Sequence, residues 1–208
     1  MKVLVLGSTG GTGLELLEQS LEEGHEVTAF ARRPDALRLK HPKLRVRQGD
    51  VLDYPSVETA VQGQDAVLSA LGVRRLGKNT ILSDGTRNLI QAMQRKGVRR
   101  LVVESSLGVG DSAGQLGPLY NFFLLPLILK RIFQDKEVQE SLVRASTLEW
   151  IVVRPAVLTN GPRTGRYKAG FSRGARIKAK ISRADTAEFM LKQLTDDKYL
   201  RQTPGLSY

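Results

Sequence analysis

The opening thirteen residues constrain the chain most. Met1-Lys-Val-Leu-Val-Leu runs directly into Gly7-Ser-Thr-Gly-Gly-Thr-Gly13, an apolar strand followed by a turn with glycine at every third position and then an amphipathic stretch. A buried strand that reverses into a helix within a few residues needs a tight turn at Gly7, and Gly10 leaves room for an anion to approach the backbone. Gly13 lets the helix pack closely on the sheet, and the helix N-terminus aims its N–H groups at the anion. Thr9, Gly11 and Thr12 fill the same turn and are candidate contacts for a pyrophosphate. The spacing is Gly-x-x-Gly-x-x-Gly rather than Gly-x-Gly-x-x-Gly, so the strand before and the helix after carry the reading of a dinucleotide-binding start.

Strand-like and helix-like runs go on alternating from there. The apolar periods predict strands over 2–6, 26–31, 44–48, 66–70, 100–104 and 150–154. They predict helices over 11–23, 55–61, 84–96 (closed by Gly97) and 119–145. After Pro155 the pattern changes to a small hairpin from 166–170 and 175–181, then a closing helix over 185–194. Short βα repeats of this kind predict an α/β fold: a single doubly wound parallel-sheet Rossmann domain over residues 1–208, with the C-terminal hairpin and helix on the substrate side. Ligand is expected at the carboxyl ends of the strands.

Composition removes several function classes. The chain has no cysteine and only two histidines, His25 and His41, which leaves no thiolate site and weighs against any metal centre. The longest apolar stretch, 119–129, is too short for a membrane span and contains Asn121 and Pro126. The first strand starts at residue 2, so a cytoplasmic protein without a leader is expected. The net charge of +11 raises nucleic acid as a partner, but few stacking aromatics interleave the cations, and no nucleic-acid partner is expected. The densest basic run, residues 163–183, has Arg163, Arg166, Lys168, Arg173, Arg176, Lys178, Lys180 and Arg183 with no carboxylate among them. It is either a solvated face or a field for an anionic substrate.

The residues after each strand carry the chemistry. After the second strand come Arg32 and Arg33, where an NAD site ordinarily places an acid on the ribose hydroxyls. Guanidinium groups there suit a 2′-phosphate, so NADPH is the expected cofactor. Asp50 and Val51 follow the third strand as a contact for the adenine, and Ala70, Leu71 and Gly72 close the fourth with little side-chain bulk.

Together, Gly7 to Gly13, Arg32, Gly49-Asp50-Val51, Gly63-Gln-Asp-Ala66, Leu71-Gly72 and Ser83-Asp-Gly-Thr-Arg-Asn88 resemble the atypical short-chain dehydrogenase/reductase group. Within it the nearer likeness is to the NADPH-dependent flavin reductases, the biliverdin reductase B type. The likeness extends to Ile181-Ser-Arg-Ala-Asp-Thr-Ala-Glu-Phe-Met-Leu191. It implies a Rossmann fold, NADPH, and reduction of a free flavin or a linear tetrapyrrole by a monomer or weak dimer. It also carries an active-site serine onto Ser106, places Ser105 beside the nicotinamide, and adds Pro155 after the sixth strand as a cofactor contact. Lys136 sits where some relatives have a lysine toward the nicotinamide ribose, with a plain helix-surface lysine as the other reading.

Two departures matter. None of the five tyrosines has lysine four residues later, so the Tyr-x-x-x-Lys acid of alcohol-oxidising relatives is absent. Arg154-Pro155-Ala156 has alanine where the flavin reductases have a histidine near the substrate. Hydride transfer to a flavin suffers less from the first loss, since the remaining proton can come from water, and any role of that histidine is not available here. A nucleotide-binding sensor, or an assembly factor or isomerase of a pigment or quinone pathway, stays open as the alternative; the apolar stretch 119–129 reads first as core or a subunit contact, then as an acceptor wall, and under the sensor reading as the partner surface.

Overall fold

A computed structural model describes residues 1–73, 80–115, 129–171 and 177–208. The apolar run at the N-terminus forms β1 (Lys2–Leu6), and the glycine turn leads into α1 (Gly11–Glu22). Then follow β2 (Glu26–Ala31), β3 (Leu44–Gln48), α2 (Tyr54–Val61), β4 (Ala66–Ser69), α3 (Ile81–Lys96), β5 (Arg100–Glu104), α4 (Lys130–Ala145) and β6 (Glu149–Pro155). The chain closes through β7 (Val157–Thr159), β8 (Lys168–Ala169), β9 (Lys180–Ser182), α5 (Arg183–Lys192) and β10 (Gly205–Ser207).

The main sheet has the order β3-β2-β1-β4-β5-β6-β10-β8, parallel throughout except where β10 meets β8. The expected doubly wound α/β fold is therefore present. Alternation along β1 sorts the core into two layers. Val3 and Val5 face α1 and α5 with Leu16, Leu17 and Met190, and Leu4 and Leu6 face α2 and α3 with Val57, Leu89 and Met93. A strand buried on both faces reads as an unbroken apolar run, which is why β1, β4 and β5 stand out in the sequence.

The expected C-terminal hairpin does not form as such. β8 pairs antiparallel with β10, Ala169 opposite Leu206, while β9 pairs parallel with β7; residues 172–176 of the expected second arm lie outside the described residues. Two adjacent strand-like runs suggest a hairpin, but the short Gly205-Leu-Ser207 segment, which shows no period, takes the place between β6 and β8. Of the expected 119–145 helix the described part is α4; residues 119–128 of the apolar stretch lie outside the described residues. The closing helix begins at Arg183, two residues before its expected start, because Ser182 caps it by accepting from the Asp185 N–H at 3.0 Å.

α3 also begins earlier than expected, at Ile81. A buried carboxylate from α4 explains it: Asp135 accepts from the N–H of Leu82 (3.0 Å), the N–H of Ser83 (3.3 Å) and the Ser83 hydroxyl (2.5 Å). These are orphan donors of a helix first turn, and a charged acceptor satisfies them strongly. At the other end Gly97, with φ of 72°, closes α3 in the left-handed conformation. Asp135→Ala leaves buried donors unpaired and is expected to destabilise the fold by about 2 kcal/mol. Urea denaturation should show a lower midpoint at unchanged slope; an unchanged midpoint would remove Asp135 as the cap.

Candidate cofactor and active site

The carboxyl ends of β1, β2 and β4 open onto one cleft of about 490 Å³. Its floor is the first turn. Gly10 N–H donates to Gly7 O at 2.8 Å, and Ser8 Oγ, buried, donates to Phe30 O at 2.9 Å, tying the turn to the end of β2. Gly7 has φ of +74°, and a Cβ there would lie 2.1 Å from Ala70 O. A Cβ on Gly13 would lie 2.1 Å from Gly7 O. No L side chain fits either place, so the end of α1 reaches the sheet only with glycine at both. The α1 N-terminus has no side-chain cap, which leaves its first N–H groups directed at the cleft.

Most of the expected cofactor residues come together here. Gly7, Thr9, Gly10, Gly11 and Thr12 line the cleft with Arg32 and Arg33 after β2, Val51 after β3, and Ala70, Leu71 and Gly72 after β4. Arg32 and Arg33 are exposed. Gly85 on α3 lets Val51 sit in: a Cβ at that position would stand 2.8 Å from Val51 Cγ2.

Others are placed differently. Gly13 packs beneath the turn rather than along the wall. Asp50 does not line the cleft; its carboxylate accepts from Leu52 N–H at 3.0 Å, closing a local turn. Ser105 is buried and its hydroxyl donates to Glu140 Oε1 at 2.6 Å, so its polar atom is taken up by α4. Ser106, half-buried, donates to Leu107 O at 3.1 Å, and Pro155, buried at the end of β6, accepts from Leu107 N–H at 2.8 Å. Lys136 is half-buried on α4, within the electrostatic reach of Glu104, Glu140 and Asp135. Ala156, after β6, is buried.

Two charged residues of the cleft were not anticipated there from the sequence. Glu104 ends β5 inside the cleft, 7 % exposed, and accepts from Thr12 Oγ1 at 3.0 Å. An acid at the carboxyl end of an apolar strand was the available signal. Arg183 reaches over α1 from the start of α5: a Cβ on Gly11 would meet Arg183 Cδ at 2.5 Å, and Arg183 Nη1 donates to Asn160 Oδ1 at 2.6 Å. Of the 163–183 basic run, Arg163 pairs with Glu22 at 3.5 Å, and Arg166, Lys168 and Lys178 surround a shallow depression with Tyr167 and Tyr208. Arg173 and Arg176 lie outside the described residues.

Burial pushes the Glu104 carboxyl above the usual carboxylate range, against the charge of Lys136, the Thr12 hydrogen bond and the charge of Arg183. Burial likewise pulls the Lys136 ammonium down, against Glu104, Glu140 and Asp135. The folded chain thus holds the Glu104 proton more tightly than the unfolded one. The stability tied to that proton is fully present at acid pH and is lost as pH rises from the ordinary carboxyl range to the raised value. Glu104→Gln is expected to remove this falling limb in urea denaturation over that range. The same fall in the variant would assign it to another group.

A glycine turn at a helix N-terminus, at the carboxyl ends of a 3-2-1-4-5-6 parallel sheet, defines a dinucleotide-binding Rossmann protein. The chain belongs to the NAD(P)H-binding family, which matches residues 7–197. It is 34% identical over 178 residues, 79% of this chain and 61% of the relative, to an uncharacterized chloroplastic protein of Arabidopsis thaliana. It is 37% identical over 120 residues to a 3-beta-hydroxysteroid dehydrogenase of Mycolicibacterium neoaurum (52% of this chain, 32% of the relative). It is 32% identical over 115 residues to the photosystem II assembly factor Ycf39 of Synechocystis (53% and 35%). The chain therefore spans from about a third to three fifths of the length of these curated relatives. Among solved structures, ChuY, an anaerobilin reductase from Escherichia coli O157:H7, superposes with a TM-score of 0.83 at 23% identity, covering 100% of this chain and 97% of that one. A short-chain dehydrogenase/reductase of Veillonella parvula in complex with NADP gives 0.81 at 19% identity, covering 100% and 94%. Among the described residues no helix is long and apolar enough to cross a membrane.

Proposed function

We propose that the chain is an NADPH-dependent reductase that passes hydride to a flat acceptor such as a free flavin or a linear tetrapyrrole. The observation that carries the reading is the composition of the cleft: cations at its adenosine end and at the glycine turn, and, among the described residues, no carboxylate lining it except the buried Glu104. At the adenosine end Arg32 and Arg33 offer charge-assisted hydrogen bonds to a 2′-phosphate. At the turn, the N–H groups of α1 and the guanidinium of Arg183 face a pyrophosphate together. Such a cofactor supplies hydride at its nicotinamide. The chain's own work is positioning, since holding donor and acceptor about 3.5 Å apart in aligned geometry is the main gain available. Ser106, two residues past β5, takes the role of orienting the reacting rings that the resemblance to the flavin reductases implies. The structural neighbour named an anaerobilin reductase supports an acceptor of the bilin kind.

Arg32→Ala is expected to weaken NADPH by about 2 kcal/mol while hardly altering NADH, because the lost bonds are to the 2′-phosphate alone. Titration of both cofactors by fluorescence decides it, and equal losses would remove Arg32 from the phosphate. Gly10→Val should abolish binding of both cofactors in a folded protein, since the new side chain occupies the pyrophosphate space.

Turnover is expected with NADPH and FMN, FAD or biliverdin and not with simple ketones, because the cleft has no Tyr-x-x-x-Lys donor. Ser106→Ala should lower the rate with NADPH affinity little changed. The second reading, a nucleotide-binding assembly factor, rests on the likeness to Ycf39. Tight NADPH binding without oxidation by any flavin, tetrapyrrole or quinone would favour it.

A further inference from the structure

Away from the cofactor cleft, the sheet ends at β3. Val27 N–H donates to Lys43 O and Gly49 N–H donates to Ala31 O, and Thr28 stands opposite Arg45 and Phe30 opposite Arg47 in the register. In a parallel ladder this turns the backbone groups of the odd-numbered β3 residues toward β2. The N–H and C=O groups of Val46 and Gln48 therefore point outward, and no backbone hydrogen bond reaches them among the described residues.

The side chains alternate with the same period. Arg45 and Arg47 fall on the α2 side and line a cleft of about 550 Å³ together with Lys2, Gln62 and Gln64. None of the ion pairs among the described residues involves either arginine, and the one acid lining the cleft is Glu26. Gln64 Nε2 donates to Thr28 Oγ1 at 3.1 Å, which leaves its Oε1 buried without a donor. The other side of β3 carries Leu44, half-buried against the core, Val46, 43 % exposed, and Gln48, and both Val46 and Gln48 reach the rim of the same cleft.

We propose that β3 is a docking edge for an extended acidic segment of another protein. The segment adds as a ninth strand, with carboxylates at alternate positions toward Arg45 and Arg47 and apolar side chains toward Val46. Main-chain bonds to Val46 and Gln48 give affinity, and the paired arginines select the charge. Cations on an edge strand also keep like edges apart: a second copy of β3 would bring arginine against arginine, so the surface selects against self-pairing. A nucleic acid fits less well, because among the described residues no aromatic lines the cleft for base stacking.

The test uses the full chain and a short fluorescent peptide alternating glutamate with valine or threonine, followed by anisotropy. The peptide should bind, and a peptide of the same composition with the alternation scrambled should bind at least about tenfold more weakly, as should Arg45→Glu/Arg47→Glu with the alternating peptide. Hydrogen exchange on the unaltered chain should show the Val46 and Gln48 amides protected by the peptide. Affinity for NADPH should not change in the double variant, which separates this edge from the cofactor site and reports that the variant is folded. Equal binding of the scrambled peptide would reduce the effect to the attraction of a basic surface for any polyanion and overturn the proposal. So would unprotected amides, or an oligonucleotide that displaces the peptide at matching concentration of charge.

Discussion

The whole site depends on how closely α1 approaches the sheet. Gly7 sits against the backbone of Ala70, and Gly13 sits against the carbonyl of Gly7, each at a distance that a single methyl group would violate. Because the two contacts are backbone on backbone, neither partner has a rotamer to change, and the penalty for any side chain would be a displacement of the helix itself. That approach brings the uncapped N-terminus of α1 to the strand ends, and it sets the cleft between β1, β2 and β4. Arg183 depends on the same economy of atoms, since it crosses α1 over Gly11.

Polar groups inside the fold hold the far wall. Glu140 on α4 takes a bidentate pair from Arg154, Nε at 3.0 Å and Nη2 at 2.7 Å, and accepts from Ser105 at 2.6 Å. Arg154 also reaches Asp111 at 2.6 Å. A buried ion pair of this kind is weak evidence for net stability, because desolvation offsets most of the attraction, but removing one partner strands the other charge. Its structural effect is clearer: Glu140 joins α4 to Arg154 of β6 and to Ser105, the chain neighbour of Ser106 just past β5, and Arg154 carries the link on to Asp111 in the loop after β5. With Asp135 capping α3, helix α4 is therefore tied to α3 and β6 through two buried acids.

How much of this was legible in the sequence follows from how local each cause is. The turn from Gly7 to Gly13, the apolar runs of β1 to β6 and the Gly97 stop are set by neighbours within a few positions, and they were readable. The position of Arg32, Val51 and Ala70 to Gly72 at the strand ends lining the cleft was readable too, because each follows a recognisable strand. Glu104 and Arg183 were not, since their partners lie far away in sequence: Thr12 is 92 residues from Glu104, and Gly11 meets Arg183 only through the packing of α1 on α5. β10 was invisible for another reason. Three residues, Gly205-Leu-Ser207, carry no period, and they form a strand because β6 and β8 offer edges on both sides. Asp50 shows a local competitor, since one oxygen of its carboxylate accepts from the N–H of Leu52 in the next turn.

The same placement of acids accounts for the electrostatic character of the surface. The chain has 32 lysines and arginines against 21 aspartates and glutamates, but Glu104, Asp135, Glu140 and Asp185 are all buried. Asp185, for instance, is occupied by the N–H groups of Thr164 and Gly165 and the hydroxyl of Tyr208. With these acids drawn inward to caps, loops and the cleft, the solvent-facing balance is more basic than the formal charge alone conveys. Interior pairs are little affected by salt, whereas exposed cations such as Arg32, Arg45 and Arg47 act through a medium with a screening length of about 8 Å at physiological ionic strength. Ionic strength is therefore the variable that separates the two sets: it leaves the walls of the cleft in place and weakens what the cationic surface attracts.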